Sequence, residues 1–266
     1  LDFVRSNDPK FKKIPGYNQQ LDYIPSQTIT YQVDSAAVMA AGVISPADTA
    51  ALLKQMTINL KDKDYLGKQE LIILDMLRTN NWQRPIYYAI TVSPDQFVKL
   101  DPYFQQTGLA YQLVPMEVKG KARSVNTEKM YDNIMNKFKW GGVDKPGIYL
   151  DENVMRMCKS YRAYVFGRLA ASLIAEGQKE KALNVLDKAM QVLPPENVPL
   201  DYSALSLAEM YYELGQQEKA EAVYTGIADA AMRNVNWFFR LSPQQFTSVL
   251  GELEHNLAVV QEEVRV

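Results

Sequence analysis

Cysteine and histidine are almost absent from this chain. Its 266 residues hold one of each, Cys158 and His255. A lone cysteine excludes an intrachain disulfide, and there is no Cys-x-x-Cys pair. With one histidine, a histidine-rich zinc site is excluded. A Ser-His-Asp or Cys-His arrangement would have to use His255, which sits beside Glu252 and Glu254 and reads as a surface residue. Cys158 lies among helix-forming residues and reads as a buried structural thiol. No run of ~20 apolar residues is present, so no segment is expected to cross a bilayer as a helix. No Gly-rich phosphate loop occurs either, because Gly141-Gly142 lacks the surrounding pattern. The net charge of −2 offers no general attraction for nucleic acid. The short basic cluster Lys10, Lys12, Lys13 reads as a solvated arm. Neither a cofactor nor a metal is expected.

What is present begins with enough apolar character, 47%, to build a core. Two C-terminal stretches share one register. Phe166, Leu169, Ala170, Leu173, Gly177, Ala182, Leu186, Ala189 and Pro194 form the first. Ala204, Leu207, Ala208, Tyr211, Gly215, Ala220, Tyr224 and Ile227 repeat it. Small residues fall where two helices touch, and a glycine turns the chain, as in tetratricopeptide repeats. The period exceeds the usual ~34 residues because of the proline-rich linker 194–199. Ser242-Pro243 opens a last helix with Phe246, Val249, Leu250, Leu253, Leu257 and Val260 in one stripe. It reads as a cap on the last repeat, or else as a seam for a partner helix. The expected second domain is therefore 151–266, all-α and tetratricopeptide-like.

The first half, 1–150, mixes periodicities and reads as an α/β or α+β domain. Residues 1–27 read as irregular coil. Strands are expected at 28–33, 56–60, 85–91 and 109–114, with Pro115 ending the last. The run Pro85-Ile86-Tyr87-Tyr88-Ala89-Ile90-Thr91 has the character of a central strand. Asp34 and Asn126 are expected N-caps. The helix at 68–79 is apolar nearly all round, which implies burial on more than one side. The helix after Asn126 carries Met130, Ile134 and Phe138 and is stopped at Trp140-Gly141-Gly142.

Three groups of residues could carry function. Asp75 stands inside the apolar helix and needs a cation or several donors. Arg78 and Arg84 are the available partners, so a buried ion pair is the plain reading and a functional acid the sharper one. Asn80, Asn81, Trp82 and Arg84 occupy a helix–strand junction. There the indole could stack on a sugar while the amides and the guanidinium bond hydroxyls. The plainer alternative is a left-handed turn with Trp82 as core cover. Asp132, Asn133, Lys137 and Trp140 form a similar set.

Several motifs go further together than singly. They are Tyr23-Ile24-Pro25-Ser26, Leu74-Asp75-Met76-Leu77, the run from Thr79 to Thr91, and the run from Tyr103 to Tyr111. Val125-Asn126-Thr127, Trp140-Gly141-Gly142 and Tyr149-Leu150-Asp151-Glu152-Asn153 complete the set. The chain resembles, over most of residues 1–240, the C-terminal soluble region of protein O-mannosyltransferase-like polytopic membrane proteins of Gram-negative bacteria. That family was long carried as a domain of unknown function. The resemblance implies a parent enzyme that takes a sugar from a polyprenyl phosphate, with its catalytic acids in the membrane part. No catalytic residue is therefore expected in this chain, which opens like the interior of a longer protein. The expected partners are the parent's own membrane domain and a polypeptide acceptor or protein partner, with no nucleic acid. The expected location is the periplasmic face of the inner membrane. The implied role is an accessory domain of a membrane glycosyltransferase. The alternative is a protein–protein scaffold with no role in sugar transfer.

Overall fold

A computed structural model describes residues 8, 26–118 and 124–263. Most of the expected N-terminal coil, with its lysine cluster, lies outside the described residues. The chain forms two compact units, Leu1–Asn126 and Thr127–Val266. The division falls after Asn126 rather than at 150/151, so residues 127–150 fold with the helices.

The first unit is mixed α/β. Strand β1 (Thr28–Gln32) pairs antiparallel with β2 (Gln55–Asn59), with Ile29 opposite Ile58 and Tyr31 opposite Met56. Met56 and Ile58 alternate inward along β2, as a half-buried strand requires. Between the strands lies α1 (Ser35–Ala40), capped by Asp34, whose side chain accepts from the Ala37 N–H at 3.0 Å. Helix α2 (Lys68–Asn80) follows. At its start Glu70 accepts from the Gly67 N–H at 2.7 Å and pairs with Lys63. Burial opposes ionisation of Glu70, but these two donors outweigh it and hold the carboxyl below its usual range.

The second sheet holds β3 (Tyr87–Ala89), β4 (Phe104–Gln106) and β5 (Ala110–Leu113), in the order β3-β5-β4. Two expectations are corrected here. The run 85–91 is not a central strand. It contributes a three-residue edge strand, in which Tyr88 is buried while Tyr87 and Ala89 face outward. A short apolar run does not reveal by itself how many of its faces are covered. Helix α2 is covered on one side only: Leu74 and Leu77 are buried, whereas Ile72 and Met76 are 59% and 52% exposed. Tyr88, Phe97, Phe104 and Tyr111 pack as an aromatic cluster with centroids 4.8–6.1 Å apart.

The second unit is helical. Helix α3 (Thr127–Asp132) widens into a π turn at Asn133–Lys137, burying Met130 and Ile134. Helix α4 (Glu152–Tyr161), capped by Asp151, also widens, at Arg162–Gly167, before α5 (Arg168–Ala175). Then come α6 (Lys179–Val192), α7 (Leu205–Glu213) and α8 (Gln217–Phe238). The small residues expected at helix contacts, Ala170, Ala182, Ala189, Ala208 and Ala220, are all buried. Gly177 and Gly215 turn the chain at φ of +76° and +75°, conformations that glycine adopts without steric cost.

The last expected helix is two: α9 (Pro243–Ser248) and α10 (Leu250–Glu263). Ser242 caps α9, and the Gln245 side chain reaches back to it. The break at Val249 rotates the stripe. Leu253 and Val259 are buried while Leu250 and Leu257 stay exposed. Helix α10 packs on α8, with Leu253 against Val235 and Phe238.

Candidate functional site

Helix α2 ends in an uncommon turn. Asn81 and Trp82 both adopt left-handed backbone, at φ of +40° and +62°. Asparagine tolerates this, but for a bulky tryptophan it is a strained conformation that the surroundings must hold. Asn80 closes the turn, its Nδ2 donating to the Arg84 carbonyl at 2.7 Å, while the Gln83 N–H donates to the Asn80 carbonyl at 2.8 Å. The result swings the Trp82 ring inward under β1. It is 6% exposed, with Nε1 3.4 Å from the Gln32 carbonyl oxygen.

This turn, β1 and the C-terminal end of α2 enclose a cleft of about 230 Å³. Thr30, Tyr31 and Gln32 form one wall, and Arg78, Asn80, Asn81 and Trp82 the other. Three of the expected junction residues thus meet in one place. Arg84 does not join them: it is exposed, outside the lining, and gives only its carbonyl to the turn. Arg78 takes its place at the rim, its Nε 3.7 Å from Asp75 Oδ1. Both side chains of this pair are partly exposed. The ion pair is therefore half-buried and joins Asp75 to Arg78.

Tyr31 is the cleft residue that sequence reasoning missed. Its hydroxyl donates to the Leu74 carbonyl at 3.0 Å and ties β1 to α2. Burial, reinforced by the negative Asp75 and opposed by Arg78, pushes its phenol up to about 12. Tyr88, whose hydroxyl is buried without a hydrogen-bond partner among the described residues, is pushed up to about 12 by burial. Unfolded, both phenols ionise near the ordinary value of 10.0. Between these values the folded state holds the extra protons, so stability falls as pH rises from 10 to 12. Urea unfolding followed by tryptophan fluorescence is expected to show this fall. The double variant Tyr31→Phe, Tyr88→Phe is expected to lessen it, the remainder coming from Tyr161 and Tyr211, which burial also pushes up.

Asp132 and Trp140 belong to the helical unit. Asp132 accepts from Asn136 Nδ2 at 2.9 Å and pairs with Lys137, and these two partners hold its carboxyl below the usual range. Trp140 packs on Phe166 and Phe138, with centroids 4.9 and 6.1 Å away. Cys158 is buried, and burial pushes its thiol up, against the pull of Arg162. A raised thiol is a poor nucleophile. His255 is exposed, as expected.

The cleft holds hydrogen-bonding groups and a cation but no facing pair of carboxylates and no activated nucleophile. Among the described residues no group of His, Cys, Asp or Glu could hold a metal ion. The cleft thus presents hydrogen-bond donors and acceptors together with a guanidinium to a polar group. Residues 1–131 match the family model of TMEM260-associated domain 2. That description associates the matched domain with TMEM260. No curated protein and no solved structure matched the chain. Among the described residues no helix is long and apolar enough to cross a membrane.

Proposed function

We propose that this chain is a non-catalytic accessory domain of a protein O-mannosyltransferase-like membrane protein, on the periplasmic side of a bacterial inner membrane. The observation that carries the reading is the family match over 1–131, joined to a cleft without acid–base or nucleophilic chemistry. In this reading the cleft recognises a hydroxyl-rich group, with Arg78, Asn80 and Asn81 as the bonding side chains. Trp82 shapes the wall rather than offering a stacking face, because its ring is buried. The helical unit is a tetratricopeptide-like scaffold that docks a polypeptide acceptor or partner, and the parent's membrane part carries the lipid-linked sugar chemistry. The isolated chain, given a polyprenyl-phosphate sugar and a Ser/Thr-rich peptide, is expected to transfer no sugar. Turnover by the chain alone would overturn the proposal.

The second reading is a protein–protein scaffold with no role in sugar transfer. It is favoured by one observation, a long trough on the helical unit lined by amides and apolar side chains. Titration of the labelled chain with mannose-type sugars separates the two. Shifts at Arg78, Asn80 and Asn81 support recognition at the cleft, and silence there leaves the scaffold.

A further inference from the structure

Two depressions on the helical unit, of about 330 and 360 Å³, share Asn234, His255 and Asn256 and so form one trough. Its floor runs along α8 from Ile227 to Trp237. At 1.5 Å per helical residue this is about 15 Å, the length of four to five residues of extended chain at ~3.3 Å each. An exposed aromatic residue stands at each end. Tyr202 lies edge-on to His255 at 6.2 Å, and Trp237 lies against Phe238 at 5.5 Å.

The middle is built of amides. Asn234 Nδ2 donates to Asn256 Oδ1 at 3.0 Å, and Asn256 Nδ2 donates to the Glu252 carbonyl at 2.7 Å. Each asparagine has two amide protons and a two-lone-pair oxygen. These bonds therefore leave Asn234 with its oxygen and one N–H, and Asn256 with one N–H and one oxygen lone pair. Donor and acceptor side by side is the pattern that a peptide bond in extended chain satisfies.

The charges are polarised along the trough. At the Tyr202 end Lys159 is neutralised by Asp201 at 3.1 Å, leaving Arg233. At the Trp237 end stands Glu252. Neither Arg233 nor Glu252 holds an ion pair among the described residues. A ligand that lies along the trough thus meets a cation at one end and an anion at the other.

We propose that this trough binds an extended polypeptide segment of four to five residues, with its backbone held by Asn234 and Asn256. An acidic side chain of the ligand faces Arg233. An aromatic or basic side chain reaches Trp237 and Glu252. The proposal rests on the reading of the helical unit as a docking scaffold and names its ligand class.

The test is a selection of displayed random short peptides against the whole chain, in parallel with the Asn234→Ala, Asn256→Ala variant. Both asparagines lie at the surface, and a matching thermal melt confirms that the variant folds. Enriched peptides are synthesised and titrated by NMR and by tryptophan fluorescence, with Trp237→Phe to assign the signal. The expected result is an enriched pattern of an acidic residue and an aromatic or basic one four to five positions apart. Those peptides shift the Asn234 and Asn256 side-chain amides and quench Trp237. Affinity falls about tenfold or more in the double variant, the cost of two lost hydrogen bonds. No enrichment over the variant, or shifts elsewhere on the chain, would overturn the proposal. So would a response of the trough to a linear oligosaccharide in place of peptide. The sugar-transfer assay reports separately on the accessory role, so failure of one leaves the other result standing.

Discussion

Arg162→Ala is expected to lower the melting temperature of the helical unit by about 10 °C, a loss of ~3–5 kcal/mol. Arg162 is fully buried in the wide turn between α4 and α5. Burial pushes its guanidinium down to about 10, so it remains charged at neutral pH. Its Nη2 donates to the carbonyls of Leu193 and Val198 at 2.7 and 2.6 Å, and Nη1 lies 3.5 Å from that of Pro199. The linker needs this donor for a covalent reason. Pro194, Pro195 and Pro199 carry no N–H, so the segment has more acceptors than donors. Alanine would leave buried carbonyls unsatisfied and a cavity beside them. Arg162→Lys is expected to recover little, because one ammonium group lacks the planar fork that serves divergent acceptors. Exposed Arg156, on the same helix, supplies the control: Arg156→Ala is expected to fall within ~0.5 kcal/mol. Thermal unfolding followed by far-ultraviolet circular dichroism checks all three. An Arg162→Ala variant as stable as the control would refute the account.

Trp82→Ala is expected to cost the first unit ~3–5 kcal/mol, the usual loss for truncating a buried aromatic residue. The left-handed φ of Trp82 adds a diagnostic. The backbone strain is held by burial of the indole, so alanine keeps the unfavourable φ and loses what held it. Trp82→Gly removes the strain as well as the ring, and is expected to cost less than alanine by roughly 1 kcal/mol. Urea unfolding read by near-ultraviolet circular dichroism orders the three proteins. An alanine variant more stable than the glycine one would show that the turn is not strained as described. Either variant is also expected to open the cleft, since the indole forms part of its wall.

Much of the local structure was legible along the chain because its causes are local. Asp34 and Ser242, expected at helix starts, each accept a backbone N–H there. The recurrent glycines and alanines of the helical half mark turns and close approaches that need no distant information. Arg162 was overlooked, yet a signal existed. It stands four residues after Cys158 and four before Phe166, both on the buried face, so its charge had to be taken inward.

The sequence by itself determined the presence and kind of the main elements, the small residues at the helix contacts, and the scarcity of cysteine and histidine. Those follow from side-chain period, backbone preference and composition. Only the tertiary structure decided which faces are covered. It reduced the run 85–91 to a three-residue edge strand, left Ile72 and Met76 in solvent, and turned Leu253 rather than Leu250 onto α8. It also brought Tyr31 and Gln32 to the Trp82 turn and Asn234 to Asn256. Burial and meeting of distant residues depend on what the rest of the chain places alongside, and one segment's pattern carries no record of that.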